Sequence, residues 1–144
     1  MKPRIEKLDV EHAPAVAACD ARCMPGPWSL TSWRSEIEHG SCAGLFRGIQ
    51  PAVLLGFIAW RQVIDEVEIT RLAISPEYRR RGYARRLLEH VAAGRVCFLE
   101  VRASAEGAQA FYRACGFVET GRRVGYYGPP MPDDAIVLTR GLGE

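Results

Sequence analysis

Residues 68–88 read Glu-Ile-Thr-Arg-Leu-Ala-Ile-Ser-Pro-Glu-Tyr-Arg-Arg-Arg-Gly-Tyr-Ala-Arg-Arg-Leu-Leu and set three backbone habits in a fixed order. Residues 69–74 form an apolar alternating run that reads as a strand. Ser75-Pro76 ends it, because proline has no amide hydrogen to give to a central strand. Residues 79–84 make a basic turn around Gly82, after which Leu87, Leu88 and Val91 recur at helical spacing. A strand feeding a glycine-bearing turn into a helix start leaves unpaired amides at the positive end of the helix dipole. Glycine there lets an anion approach the backbone. The arginine run alone reads as solvated surface; the order of the parts makes it an anion site.

The chain has 144 residues, which argues for one domain large enough to bury a core. Apolar content of 48% and charged content of 25% are those of a globular protein rather than a disordered one. With a net charge of only +2, wholesale nucleic-acid binding is not demanded, whereas clustered arginines suit a local anionic ligand. No apolar run reaches the length of a membrane span, and Met-Lys-Pro-Arg-Ile-Glu lacks the apolar core of a secretory signal. A cytoplasmic protein with no membrane or DNA partner is expected. Five cysteines without a Cys-x-x-Cys pair point to reduced thiols. Cys19 and Cys23 stand four apart with no second ligand pair nearby, so buried thiols are expected there and no metal.

A short edge strand is expected over residues 4–8. Asp9 is placed to cap a helix over residues 11–23, with Ala13, Val16, Ala17 and Cys19 or Asp20 setting its faces. Pro14 is tolerated only in its first turn. Met24-Pro-Gly-Pro27 ends that helix. Ser29 caps a second, residues 30–39, with Leu30, Trp33 and Ile37 along one face and Gly40 closing it in a left-handed conformation. Strands over 42–47 and 52–63 form a hairpin through Gly48-Ile-Gln-Pro51, and residues 64–66 turn into the strand 67–74. A helix over 84–93, stopped by Gly94, precedes a strand over 96–102. A helix from 105 or 106 to 115, capped by Gly116, leads to strands over 117–125 and 135–140. The order β α α β β β α β α β β predicts a single α/β (α+β) domain over residues 1–144. Its mixed, mostly antiparallel central sheet carries helices on both faces. Disorder is expected only at residues 141–144 and in the proline-rich turn 128–133.

Glu100 is out of place in the apolar strand Val96-Cys-Phe-Leu-Glu-Val-Arg102, since burying a carboxylate costs several kcal/mol unless it is paired or protonated. Arg102, two residues on along the same face, is its expected structural partner. The functional alternative is a carboxylate that accepts a proton, directly or through water. Tyr112 reads as a core aromatic at helical spacing, with Phe111 the deeper of the two. Glu68 alternates with Thr70, Leu72 and Ile74 on one face of its strand and reads as an exposed or substrate-facing carboxylate.

Arg79-x-x-Gly82-x-Ala84 lacks the Lys-Ser/Thr of a P-loop and has too few glycines for the dinucleotide fingerprint. It resembles the acyl-CoA pyrophosphate loop of the GNAT superfamily of N-acetyltransferases, whose element order the chain also matches. Leu99-Glu-Val-Arg-Ala-Ser104, Ala110-Phe-Tyr112 and Cys115-Gly-Phe117 resemble the ribosomal-protein-alanine N-acetyltransferases of the RimI type. So do Pro27-Trp-Ser29, Leu87-Leu-Glu-His90, Tyr126-Tyr127 and Asp134-Ala-Ile136, so that the likeness covers nearly the whole chain.

The resemblance implies an acetyl-CoA-dependent enzyme acting on a protein N-terminus, the alanine of a small-subunit ribosomal protein. Glu100 would be its general base and Tyr112 its general acid, with direct transfer and no acyl-enzyme. Leu72, Ala73 and Ile74 would offer main-chain groups to the pantetheine, and the amides of Arg80, Arg81, Gly82, Tyr83 and Ala84 would hold the pyrophosphate. Arg79, Arg85 and Arg86 would add charge. Tyr112 would also touch the cofactor, while Glu68, Tyr126 and Tyr127 would meet the acceptor; Glu68, where histone-type members of the superfamily place their catalytic glutamate, would be the rival base. An α-amine with a pKa of about 8 is roughly a tenth neutral at pH 7, against some 0.04% for a lysine amine, so modest deprotonation help suffices.

Two departures stand out. Ala105 stands where the resembled family usually has an asparagine whose amide helps bind the cofactor, so either weaker CoA binding or a shift of the load to Ser104 is expected. The span from Glu89 to Leu99 is also short by about two helical turns. A lysine or small-molecule amine acceptor and a non-catalytic CoA-binding module are the other readings. Neither the acceptor nor the oligomeric state is fixed by these residues.

Overall fold

The computed structural model describes residues 2–141. Of the expected disorder at residues 141–144, all but Gly141 lies outside the described residues. Among these the elements are β1 (Arg4–Lys7), α1 (Ala13–Cys23), α2 (Leu30–His39), β2 (Ser41–Arg47), β3 (Val53–Val63), β4 (Glu66–Ile74), α3 (Tyr83–Ala92), β5 (Val96–Arg102), α4 (Glu106–Ala114), β6 (Val118–Tyr127) and β7 (Asp133–Arg140). Single 3-10 turns at Val10–His12 and Pro76–Tyr78 precede α1 and the basic loop. The expected order holds, with boundaries moved by one or two residues. The strands form one seven-stranded sheet in the order β1-β2-β3-β4-β5-β7-β6, antiparallel at β1–β2, β2–β3, β5–β7 and β6–β7 and parallel at β4–β5. Among the described residues no helix is long and apolar enough to cross a membrane.

The chain falls into two compact units. One runs to Arg61 and resumes over Ile69–Ala93; the other takes Gln62–Glu68 and the chain from Gly94 onward. In the first, Trp33 and Ile37 lie one helical turn apart on α2 and are buried against Leu8, Val16, Phe46 and Phe57. Trp33 meets Phe57 edge-on at 4.9 Å. Leu30, expected on that face, stands largely out of it, because it opens α2 before the first turn turns inward. Leu87, Leu88 and Val91 bury the inner face of α3. In the second unit, Cys97 and Leu99 of β5 are buried, as are Phe117 and the β7 residues Ala135, Ile136 and Leu138.

Two sequence expectations need correction. The first helix does not run unbroken from residue 11: a 3-10 turn at Val10–His12 comes first, and Pro14 occupies the opening turn of α1. Proline has no amide to extend a helical ladder backward, so the α-helix starts beside it. Asp9, expected to cap the helix, caps that 3-10 turn instead, its backbone extended and its amide donating to His12 Nδ1 at 2.9 Å, and the cap position of α1 falls to His12. Gly40 closes α2 but is extended (φ −108°, ψ −155°) rather than left-handed. Glycine is needed there for space, since a Cβ would lie 2.7 Å from the Glu36 carbonyl oxygen. Ser29 caps α2 as expected, its hydroxyl accepting the Ser32 amide at 3.0 Å.

Candidate active site

The β4–β5 ladder pairs Glu66, Val67 and Glu68 with Val96, Cys97 and Phe98 in the second unit. Leu72, Ala73 and Ile74 close β4 in the first unit. The first unit places this segment directly before the basic loop. Ser75 is buried and its amide donates to Leu55 O at 2.9 Å, which fixes where β4 ends. Gly56 on β3 presses against the segment, for a Cβ there would lie 2.4 Å from Ile74 Cδ1 and 2.6 Å from Ala73 O. Nothing in the sequence marked Gly56, whose reason lies wholly in the neighbouring strand.

The loop itself is shaped for close approach. Arg80 (φ +65°) and Gly82 (φ +79°) are both left-handed, and Gly82 is the residue from which α3 starts. No side chain caps α3, so its first-turn amides are left without the usual internal partner. A Cβ at Gly82 would meet nothing within 4 Å, which leaves the cradle open. Those open amides fit a pyrophosphate.

The arginines divide by role. Arg79, though exposed, donates through Nε to Ile74 O at 2.9 Å, and the Cys23 thiol donates to the same carbonyl at 3.4 Å. The Ile74 carbonyl is thus occupied from within, leaving the expected pantetheine contact at this residue to its amide. Arg81 stacks at 5.8 Å over the Tyr78 ring, and Arg47 stacks on the same ring at 5.1 Å. Arg86, expected to add charge for the ligand, instead donates to Pro3 O at 2.8 Å. Arg80 and Arg81 remain exposed.

In the second unit, Glu100 projects from β5 with its side chain 15% exposed. Its partner is Arg123 of β6, with Nε 3.4 Å from Oε1, and not Arg102. Arg102 is drawn off to Met131 O at 2.7 Å and stacks over Tyr127 at 4.1 Å. The other carboxylate oxygen, Glu100 Oε2, is buried without a hydrogen-bond partner. An orphaned carboxylate oxygen is costly and is usually explained by a ligand, water or proton it awaits. Arg123 also stands 5.4 Å from the Tyr126 ring, and Tyr126 and Tyr127 meet edge-on at 5.1 Å. Burial, then the Glu100 charge, raises the Tyr127 phenol above its ordinary value.

Tyr112 is the buried member of its pair, whereas Phe111, expected to lie deeper, is only half-buried. The reason is the turn at Gly116 (φ +94°), which brings Phe117 to within 5.5 Å of the Tyr112 ring. Burial drives the Tyr112 phenol well above its ordinary range, with Cys97 and Cys115 adding to the rise. The phenol is therefore a held proton. Burial likewise raises the Cys97 thiol to about 11, which makes it a poor nucleophile at neutral pH.

Ser104 turns to Asp133. Its amide and hydroxyl both donate to Asp133 Oδ2, at 3.1 and 2.6 Å, and the hydroxyl bond is the main cause of the lowered Asp133 pKa. Gln109 supports the loop instead, donating to the carbonyls of Arg102 and Ala103 at 3.0 and 2.9 Å. Asp134 accepts from Gly125 N and Arg122 and ties the β6–β7 connection down. None of these polar anchors carries a sequence motif of its own. The expected Glu68, Thr70 and Leu72 are all half-buried, and Thr70 Oγ1 is buried without a partner. Among the described residues, no group of three or more His, Cys, Asp or Glu could hold a metal.

The family model of the acetyltransferase (GNAT) domain matches residues 47–119. The chain is 32% identical to the [ribosomal protein bS18]-alanine N-acetyltransferase of Escherichia coli K12, over 93% of this chain and 94% of that protein. It is 42% identical to the N-alpha-acetyltransferase RimI of Mycobacterium tuberculosis, over 97% and 93%. The crystal structure of the ribosomal-protein-S18-alanine N-acetyltransferase from Escherichia coli superposes with a TM-score of 0.82. It shares 30% identity and covers 96% of this chain and 92% of that one.

Proposed function

The chain belongs to the GNAT family of acetyltransferases, and from that premise we propose that it acetylates the N-terminal α-amine of a protein. The acceptor that its relatives favour is the N-terminal alanine of ribosomal protein S18. It is an N-acetyltransferase with acetyl-CoA as cosubstrate. The observation that carries the reading is Glu100, which keeps one oxygen against Arg123 while the other is buried and unpartnered.

Bound at the loop and along Leu72–Ile74, acetyl-CoA supplies the reactive thioester. The amides of Arg80, Arg81, Gly82, Tyr83 and Ala84 hold its pyrophosphate, helped by the exposed charges of Arg80 and Arg81. Arg79 acts through the loop, fixing its backbone by the bond to Ile74 O. Glu100 Oε2 takes the proton from the acceptor amine, directly or through water. An α-amine needs little help, since about a tenth is neutral at pH 7. Tyr112 holds a proton at its phenolic oxygen for the departing sulfur. Tyr126 and Tyr127, braced by Arg123 and Arg102, wall the acceptor side, and Glu68 offers a carboxylate to a cationic N-terminus.

A peptide beginning Ala-Arg-Tyr, set against the same peptide already N-acetylated and carrying a lysine, tests the reading. Acetyl transfer to the free N-terminus alone is expected. Transfer to the lysine alone would overturn it.

A further inference from the structure

Cys19 and Cys23 stand one helical turn apart on α1, and their Sγ atoms lie 4.0 Å from each other. Both thiols meet the end of β4. Cys19 Sγ lies 3.2 Å from the buried Ser75 hydroxyl, and Cys23 donates to Ile74 O at 3.4 Å. Arg22 donates to the same Ser75 hydroxyl at 2.9 Å, which sets a guanidinium beside the pair. Burial raises the Cys19 thiol to about 11, against the opposing pull of the Ser75 bond and Arg22. Cys23 is only half-buried, so a small oxidant meets it first.

The two ends of this turn are not held alike. Asp20, next to Cys19, is fully buried and accepts Arg71 Nε at 2.8 Å, which keeps Cys19 with the sheet. Cys23 is the last residue of α1. The Met24 amide closes the helix on Asp20 O at 3.1 Å, and from Met24 the chain is extended and runs into Pro25. Residues four apart in a regular helix hold their Cβ atoms about 5–6 Å apart, whereas a disulfide needs about 3.5–4.5 Å. A bond between these sulfurs therefore closes only as the last turn of α1 opens, and it draws Cys23 off Ile74 O. That carbonyl keeps the Arg79 bond and loses the thiol, at the strand end from which the basic loop starts.

We propose that Cys19 and Cys23 are a dithiol switch, closed to a disulfide by hydrogen peroxide, that lowers the affinity of the adjoining loop for acetyl-CoA. The Cys23 sulfur attacks one peroxide oxygen. An S–O bond forms, the O–O bond breaks, and a first water leaves with the Cys23 proton. The Cys19 sulfur then attacks the Cys23 sulfur. The S–S bond forms, the S–O bond breaks, and a second water leaves with the Cys19 proton. Two thiols are oxidised and one peroxide is reduced. The switch rests on the placement of acetyl-CoA along Leu72–Ile74 given above and not on the identity of the acceptor.

The test titrates acetyl-CoA by calorimetry into the full chain before peroxide, after it, and after reversal with dithiothreitol. Trypsin cuts after Arg22, between the two cysteines, so the disulfide is read by mass spectrometry as peptides 8–22 and 23–34 joined. The acetyl-CoA Kd is expected to rise by about fivefold or more on oxidation, the lower end of coupling between linked sites, and to recover with dithiothreitol. By the same linkage, saturating acetyl-CoA should lower the oxidised fraction in a glutathione redox buffer by that factor. Cys19→Ser and Cys23→Ser, each set against its own untreated sample, should show no change in Kd on peroxide treatment. Peptides that stay separate, or a joined pair with unchanged Kd, would overturn the switch. So would an affinity loss that persists in the two serine variants, or one that comes with lost hydrogen-exchange protection throughout α3 and the sheet. A chain that binds acetyl-CoA but leaves the Ala-Arg-Tyr peptide untouched sinks the acceptor reading alone, since the switch is read from binding.

Discussion

Glu100 and Tyr112 are both removed from water, and burial does opposite things for their chemistry. It leaves Glu100 with an oxygen that has nothing to bond, and it leaves Tyr112 with a proton that is hard to lose. Glu100→Gln and Tyr112→Phe should each lower kcat by about 10²- to 10⁴-fold, the usual worth of a positioned acid or base. Their acetyl-CoA KM should change little; steady-state kinetics on the peptide check both. Tyr112 also predicts an alkaline signature. Its folded pKa lies above the ordinary 10.0, so its contribution is intact below pH 10 and is lost as pH rises from there toward the folded value. Thermal melts at stepped pH above 9 should fall more steeply for wild type than for Tyr112→Phe. The sequence singled out Glu100 by its charge in an apolar strand and Tyr112 through the family resemblance. It misassigned their neighbours, choosing Arg102 and Phe111, because strand alternation says which residues share a face but not which long side chain is captured elsewhere.

Strand β4 and the loop after it do most of the organising. The sequence order strand, Ser-Pro, basic glycine turn and helix start was legible because each part has a local cause: alternation, a missing amide, a left-handed residue and an apolar helical stripe. What was not legible is how firmly β4 is located. Gly56 on β3 admits the Ala73–Ile74 backbone only because it lacks a side chain. Gly56→Ala should displace that segment, at a cost of about 1–3 kcal/mol for overpacking. Acetyl-CoA binding measured by calorimetry should weaken in step, while a substitution at exposed Ile49 leaves it unchanged. The arginine run shows the same division. Its charge was plain in the sequence, but that Arg79 and Arg86 each donate to a main-chain carbonyl, Ile74 O and Pro3 O, was not.

At the scale of the whole molecule, we propose that the chain unfolds as one domain, although it falls into two compact units. Strand β4 is covalently continuous across their boundary between Glu68 and Ile69, and a break within a strand is a poor place for independent folding. Calorimetry should give one transition with equal calorimetric and van't Hoff enthalpies; two separable transitions would refute this. The element order, the sheet class and the basic glycine turn before α3 were determined by the sequence alone. Periodicity, prolines and glycines act within a few residues and leave their mark on the chain. The partner of Glu100, the depth of Tyr112, the closing conformation of Gly40 and the Asp20–Arg71 pair were decided only by tertiary structure. Each joins residues distant in the chain or depends on space left by another element, and a buried charge takes whichever donors the packed chain brings to it.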